Sequence, residues 1–467
     1  MKKSSIIYKL CLCFSVILFT GCFDPIYYNI KADVSPEEAT VSGNINSIVR
    51  FDVSGQELLV LAANGGIRYK PADKGNERSK INISTASGKN TKLKTSWKAF
   101  DNEQLPFKLH KFNYYIEGGE YDHQGQSIVK VVADSKALYI VTVEYKKDDT
   151  EGTTIPCAFR LYANENLSYV DDELVSTKDD WKLMVEEIYQ DKDTSFDYFT
   201  FYYYKKSTTW RTDFNVFCTN SVKNEHREAF IRNGYIEGKE EQSTLYKLNG
   251  TSDIEKLDID SVNIVDKKET QSDIDAAAYF GDQLYFFDTA AVTTNETKTS
   301  NATILYYGGT DSKARGYGDH THLETKKLYA FNGAESEDVF GKDNNAGYQI
   351  SCLTYTADAL LIGRALNSSN STSYGGGIVK IQLNSDGTPV KNNDKAELSA
   401  FQTNADIQLS NSYSIYTLLA VDPEKTELEN IIYSSIGFRS SGTSTAVTYN
   451  NIGLWSYYPD RRNWNRE

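Results

Sequence analysis

Methionine occurs only twice and proline eight times in 467 residues. So little methionine and so much tyrosine, 33 residues of it, argues against helix bundles and for strands, where aromatic side chains pack well on a pleated surface. Cysteine is equally sparse. No Cys-x-x-Cys pair exists, which excludes a cysteine zinc site. Basic residues number 50 against 64 acidic ones, a net charge of −14, which argues against nucleic acid as a partner because phosphate binding needs concentrated Lys and Arg. No stretch after residue 21 approaches the ~18 apolar residues of a membrane helix. P-loop, Gly-x-Ser-x-Gly, His-Glu-x-x-His and Gly-x-Gly-x-x-Gly motifs are all missing. What remains is 40% hydrophobic residues, enough for a sizeable core.

The first 22 residues read as a targeting signal. Lys2, Lys3 and Lys9 supply the basic start, and Leu10 to Thr20 is an apolar run too short to span a bilayer. It ends in Phe19-Thr20-Gly21-Cys22, which resembles the bacterial lipobox, with Phe19 where that family most often has Leu. The resemblance implies cleavage before Cys22 and fatty acylation of its sulfur, palmitate being a typical chain. Each buried methylene contributes roughly 0.8 kcal/mol, so two or three chains anchor stably. Removing residues 1–21 takes three lysines and no acid, so −14 becomes −17, and an acidic body is repelled by an anionic lipid surface. Cys157, Cys218 and Cys352 remain. Three thiols form at most one disulfide, and their apolar neighbours favour burial.

Residues 22–45 form the lipidated cysteine and a short tether, and residues 46–467 one internally repetitive domain. A turn followed by an apolar strand occurs at Ser54–Val60, Asp134–Ile140, Phe280–Phe286 and Thr356–Ile362, and the gap between the second and third copies has room for a degenerate one. A second, outer element follows at Gly66–Tyr69, Arg160–Asn164, Leu245–Gly250, Leu328–Gly333, Gly377–Ile381 and Gly453–Tyr457, with Leu305–Gly308 as a further candidate. Paired strands in fixed order are how propeller blades read in sequence, and a tandem of β-sandwiches is the competing reading. The pattern resembles β-propeller lipoproteins of bacterial envelopes, spirochaete-type ones included. The expected fold is therefore all-β, a propeller of about seven blades with six or eight close behind, long polar loop insertions, and chain ends that meet. The insertions are expected at 72–95, 146–154, 293–302, 309–326, 366–376 and 384–398. One insertion is expected to be helical, because Ser176 and Thr177 offer a capping start and Trp181, Met184, Val185 and Ile188 follow at helical spacing.

Candidates for chemistry are few. His320 and His322 with Asp319 are the only local cluster of metal-ligand types, but His-x-His in a glycine-rich stretch reads more plainly as a solvated loop, so neither metal nor cofactor is expected. The alternating acids Asp191, Asp193 and Asp197 lack the glycine and glutamate of a calcium loop. In Phe196 to Tyr204, Tyr198, Tyr202 and Tyr204 share one strand face, either packed on a neighbouring strand or open as a sugar- or peptide-binding surface. Trp455, Tyr457, Tyr458 and Trp464 read as aromatic glue where the ring closes, rather than as an exposed patch beside Arg461, Arg462 and Arg466. The expected function is a lipid-anchored binding or scaffolding module of the bacterial cell envelope, on the cell membrane or the outer membrane, bound to an envelope or extracellular macromolecule. The leaning is away from catalysis. The polar stretch 293–326, with Tyr317, His320 and His322, is the first choice of binding loop. The alternatives are an envelope glycan hydrolase or lyase with a central-channel site, and a surface adhesin for a host or extracellular ligand.

Overall fold

The computed structural model describes most of residues 41–109, 125–188, 204–233, 245–257, 274–316, 348–401 and 413–467, apart from short stretches within them. Among these residues the protein is all-β. Six four-stranded antiparallel sheets follow one another along the chain, each a meander in which sequence neighbours pair. Sheet one comprises Ile48–Val53, Gln56–Ala63, Gly66–Pro71 and Lys98–Ala99; sheet two, Gln126–Ala133, Leu138–Lys147, Thr154–Asn164 and Lys182–Ile188. Sheet three comprises Phe214–Cys218, Ala229–Asn233, Leu245–Leu248 and Glu255–Leu257; sheet four, Ile274–Phe280, Gln283–Asp288, Thr303–Tyr307 and Ala314–Gly316. Sheet five comprises Tyr348–Tyr355, Ala359–Leu366, Gly377–Gln382 and Leu398–Ala400; sheet six, Tyr413–Ala420, Ile432–Ser440, Thr448–Tyr458 and Asn463–Arg466.

The repeat elements land in fixed places. The turn-and-strand copies open the second strands of sheets one, two, four and five, with Leu58, Leu138 and Leu360 buried. The outer elements at 66, 160, 245, 305, 377 and 453 fall in the third strands of all six sheets; Leu328–Gly333 lies outside the described residues. A further repeat sits in the first strands. The pairing register slips by one residue after Ile128, Ile274, Ile350 and Ile415. Such a bulge increases local twist, here at one edge of each of four sheets.

The first strands of successive sheets lie against one another in order from one to six, and that of sheet six lies against that of sheet one. Dry clusters fill the spaces between sheets. Val49, Phe51, Leu58, Val60, Val131, Leu138 and Ile140 join sheets one and two. Val141, Leu161, Val216 and Ile231 join two and three, and Leu361, Ile378, Ile415, Ile436 and Trp455 join five and six. Both faces of a sheet are therefore covered, which explains near-continuous apolar strands such as Leu58 to Ala63. Turns add polar links. Asp134 is buried between the first two strands of sheet two, accepting the Lys136 and Ala137 amides at 2.7 Å each, the Tyr139 hydroxyl at 2.5 Å and the Gly250 amide of sheet three at 2.9 Å. Ser135 in that turn donates its amide to the Arg227 carbonyl of sheet three, as Ala357 of sheet five does to Lys425 of sheet six.

Two expectations are corrected. The helix expected from Ser176 is a single 3-10 turn, Lys178–Asp180, followed by the strand Lys182–Ile188. The capping box is present, with the Thr177 amide and hydroxyl both on Asp180 at 2.7 Å. A bulge between Leu183 and Val185 breaks strand alternation and produces the misleading apolar spacing. The stretch 293–326 is not one loop. Thr297–Ser300, Thr303–Tyr307 and Ala314–Gly316 are strands, the last two completing sheet four, because Ile304 to Tyr307 supply an apolar run on which to pair. The insertions expected at 72–95 and 384–398 do interrupt sheets one and five between their third and fourth strands, as the hairpin Ser79–Thr85 with Gly88–Lys94 and the pair Lys391–Asn392 with Lys395–Ala396.

One described insertion is tied down. The hairpin Ser168–Val170 with Glu173–Val175, turned by Asp171 and Asp172 at positive φ, reaches from sheet two onto sheet one. The Leu174 amide donates to the Tyr69 hydroxyl at 3.1 Å, and the Tyr169 ring meets the Tyr69 ring edge-on at 6.5 Å. Tyr69→Phe leaves that buried amide without its acceptor and is expected to cost about 1–2 kcal/mol. Faster hydrogen exchange at the Leu174 amide is the local readout; unchanged exchange there removes the tie.

Candidate functional site

The sequence-derived candidates do not assemble into a described site. Cys22, Tyr198, Tyr202, Tyr317, His320 and His322 lie outside the described residues. Tyr204 begins the short strand Tyr204–Lys206, opposite Arg211 of Thr209–Arg211. Among the described residues no group of three metal-ligating side chains comes together. Cys218 and Cys352 are not joined in a disulfide, and burial pushes Cys218 up to about 11.

Two polar clusters do form, both from side chains far apart in sequence. The first lies where sheet six meets sheet one. Val41 donates its amide to the Glu467 carbonyl at 3.0 Å, and Leu454 donates to the Val41 carbonyl at 2.9 Å, so the segment before sheet one continues the edge of sheet six. Ile45 also accepts from the Thr417 hydroxyl at 2.5 Å. The two ends of the described chain are thus adjacent. Beside this seam Lys70 is 0% exposed, although it carries a charge. Its ammonium sits 4.9 Å from the Tyr433 ring centroid, 5.4 Å from Trp97 and 5.9 Å from Tyr458. It donates to the Tyr458 hydroxyl at 3.1 Å and stands 4.0 Å from the Glu467 carboxylate. That carboxylate accepts the Trp97 indole N–H at 3.1 Å and the Ser456 hydroxyl. Burial lowers the Lys70 pKa, while Glu467 works to raise it; burial likewise drives Tyr433 well above the ordinary tyrosine range. Trp455, Tyr457, Tyr458 and Trp464 are all buried, as glue rather than as an exposed patch. The cation on the aromatic faces is Lys70, which sequence reasoning missed because the hydroxyl it donates to, that of Tyr458, lies 388 residues away.

The second cluster lies beside the turn joining the first two strands of sheet one. Glu57, the second residue of its strand, accepts the Arg50 Nε at 2.7 Å and the Arg227 Nη2 at 2.7 and 2.6 Å on its two oxygens. Arg50 also donates to the Val421 carbonyl of sheet six. Arg227 comes from the connection between the first two strands of sheet three, where its Nε donates to the Ser221 carbonyl at 3.0 Å and its Nη2 to that of Val222 at 3.1 Å. One carboxylate is thus held by two guanidiniums, joining sheets six, one and three. Arg227 is 2% exposed, and its Nη1 is shielded from solvent with no hydrogen-bond partner among the described residues. Nothing in the polar run Lys223 to Glu228 distinguishes Arg227 in sequence.

Several other described carboxylates with basic partners are also spent on structure. Arg160 bridges Glu144 and Glu186 at 2.7 Å each, Lys247 pairs with Glu228, and Lys380 with Glu427. Burial raises the Glu427 pKa, against the pull of Lys380, but the residue is only 4% exposed.

No protein-family model matches the chain, and no curated protein matches it. Solved structures of similar shape include a glycoside hydrolase at 11% identity and TM-score 0.32, covering 67% of this chain and 82% of that one. An apocarotenoid oxygenase from Synechocystis is 10% identical with TM-score 0.32, covering 95% and 99%. A β-1,2-mannobiose phosphorylase from Listeria innocua is 12% identical with TM-score 0.29, covering 92% and 93%. At these levels the likenesses assign neither an activity nor a substrate to this chain.

Proposed function

We propose that the chain is a lipid-anchored binding or scaffolding module of the bacterial cell envelope, with residues 46–467 folded as a six-bladed propeller. Six is one of the counts compatible with the sequence. The cyclic order of first-strand contacts and the seam at Val41 support closure, since closing a ring protects the edge strands that an open one exposes.

The observation that carries binding over hydrolysis is the use made of the acids. Glycoside hydrolysis needs two carboxyl groups facing the substrate, one of them protonated to act as the acid. Among the described residues Glu57, Glu144, Glu186, Glu228 and Glu467 face cationic side chains, and Glu427, whose pKa is raised, is sealed from solvent by the fold. A rigid body in which these acids are already paired suits a platform, with recognition left to its connections.

Cys22→Ser is expected to abolish fatty-acid labelling and release the protein from the membrane fraction. A serine variant that labels like wild type removes the anchor. The purified wild type is expected to bind an envelope fraction saturably without turning over glycan, ester or peptide substrates; catalytic turnover of any of them ends the binding-module reading.

A further inference from the structure

We propose that the Arg50–Glu57–Arg227 cluster holds one small inorganic anion of halide size against Arg227. The guanidinium has five N–H donors. The Nε and Nη2 donors are engaged by Glu57, Ser221 and Val222, and the two on Nη1 meet no acceptor among the described residues. A buried charged donor left unmet is costly, and in native proteins such a group usually has an ordered water or ion beside it.

Charge decides between the two. Two guanidiniums converge on one carboxylate, leaving the cluster one positive charge in excess inside a chain whose net charge is −14. Water satisfies the hydrogen bonds but leaves that charge, whereas a monovalent anion meets both needs in a setting of low dielectric. Size follows from occlusion. Arg227 is 2% exposed, Arg50 11% and Glu57 24% along their side chains, so a ligand at Nη1 has to be small. The arrangement joins three sheets, so an ion there fixes their relative placement as well as its own charge.

The test is thermal unfolding of the purified chain in sodium chloride or bromide against sodium gluconate at equal ionic strength. The halides are expected to raise Tm saturably, by about 2 °C or more, as any ligand of the folded state alone does. Arg227→Lys keeps a cation for Glu57 and removes the second amino arm; it is expected to fold and to lose the halide dependence. Glu57→Gln raises the excess charge from one to two and is expected to shift the halide titration to lower concentration, an effect opposite in sign to simple loss of a salt bridge. A bromide-soaked crystal is expected to show anomalous density beside Arg227 Nη1. Equal Tm in halide and gluconate, a halide dependence that survives Arg227→Lys, or a water in place of the anomalous peak overturns the proposal.

Discussion

Lys70→Ala is expected to destabilise the protein by about 3–5 kcal/mol, the usual cost of removing one partner from a buried ion pair. The loss has two sources. The Glu467 carboxylate, side chain 0% exposed, keeps the Trp97 and Ser456 donors but loses its counter-charge. The faces of Trp97, Tyr433 and Tyr458 lose the cation they surround, and the space left between them is a cavity. Replacing both charges together, as Lys70→Met with Glu467→Gln, is expected to recover most of that loss, because the desolvation of two ions disappears with their attraction. Denaturant midpoints for Lys70→Ala, Lys70→Met, Glu467→Gln and the double variant make the comparison. A single-variant loss under ~1 kcal/mol means that the seam does not depend on this pair.

The second large effect is expected in alkali. Tyr433 and Tyr139 have pKa values raised by burial, Tyr139 also by Asp134 beside its hydroxyl. Tyr413 and Tyr169, also shielded by the fold, are pushed up to about 12. A group raised in the folded state contributes stability that is whole below its unfolded pKa, near 10, and is lost as pH climbs beyond it, because the unfolded chain releases the proton and the folded one retains it. Tyr433 and Tyr139 together therefore tilt stability downward by roughly 2.7 kcal/mol per pH unit above pH ~10. Lys70 has the opposite sign: its lowered pKa makes stability rise with pH up to its ordinary value near 10.5 and contribute nothing further above it. The expected curve peaks on the alkaline side and then falls steeply, with tyrosinate absorbance appearing at the same pH as unfolding. Tyrosinate that forms well before the chain unfolds sinks this account.

The repeat was legible in the sequence because it is local. The turn residues before Leu58, Leu138 and Leu360, and the glycine before Ile67 and Ile378, are demanded by hairpins within one sheet, and they recur from sheet to sheet wherever the hairpin is tight. Sheets three and six were harder to see. Their first and second strands are joined by the long connections at 219–228 and 421–431, which remove the tight-turn signature. The helix expected after Ser176 failed for a reason of the same kind, since one bulge shifts strand alternation into helical spacing over four residues. Lys70 and Arg227 could not be picked out, because each is defined by partners on other sheets. Gly-Ile-Arg-Tyr-Lys-Pro reads as an ordinary outer strand with a solvated lysine until Tyr433 and Tyr458 are brought against it.

The seam at Val41 also sets the order in which the molecule can be made. Each sheet is a meander of near neighbours and can form soon after its residues are synthesised, but the contacts of Lys70 with Tyr458 and of Ile45 with Thr417 span 388 and 372 residues. Closing so long a loop is thermodynamically cheap: three doublings beyond a ~50-residue separation add only about 1.8 kcal/mol at about 0.6 per doubling. The cost lies in time. Until Thr448–Tyr458 and Asn463–Arg466 exist, Val41, Trp97 and Lys70 have no seat, and the apolar face of sheet one that sheet six covers stays open. Folding is therefore expected to finish in a slow step that begins only after the last sheet is complete, and a nascent chain arrested before residue 448 exposes the surface most prone to pairing with a second copy.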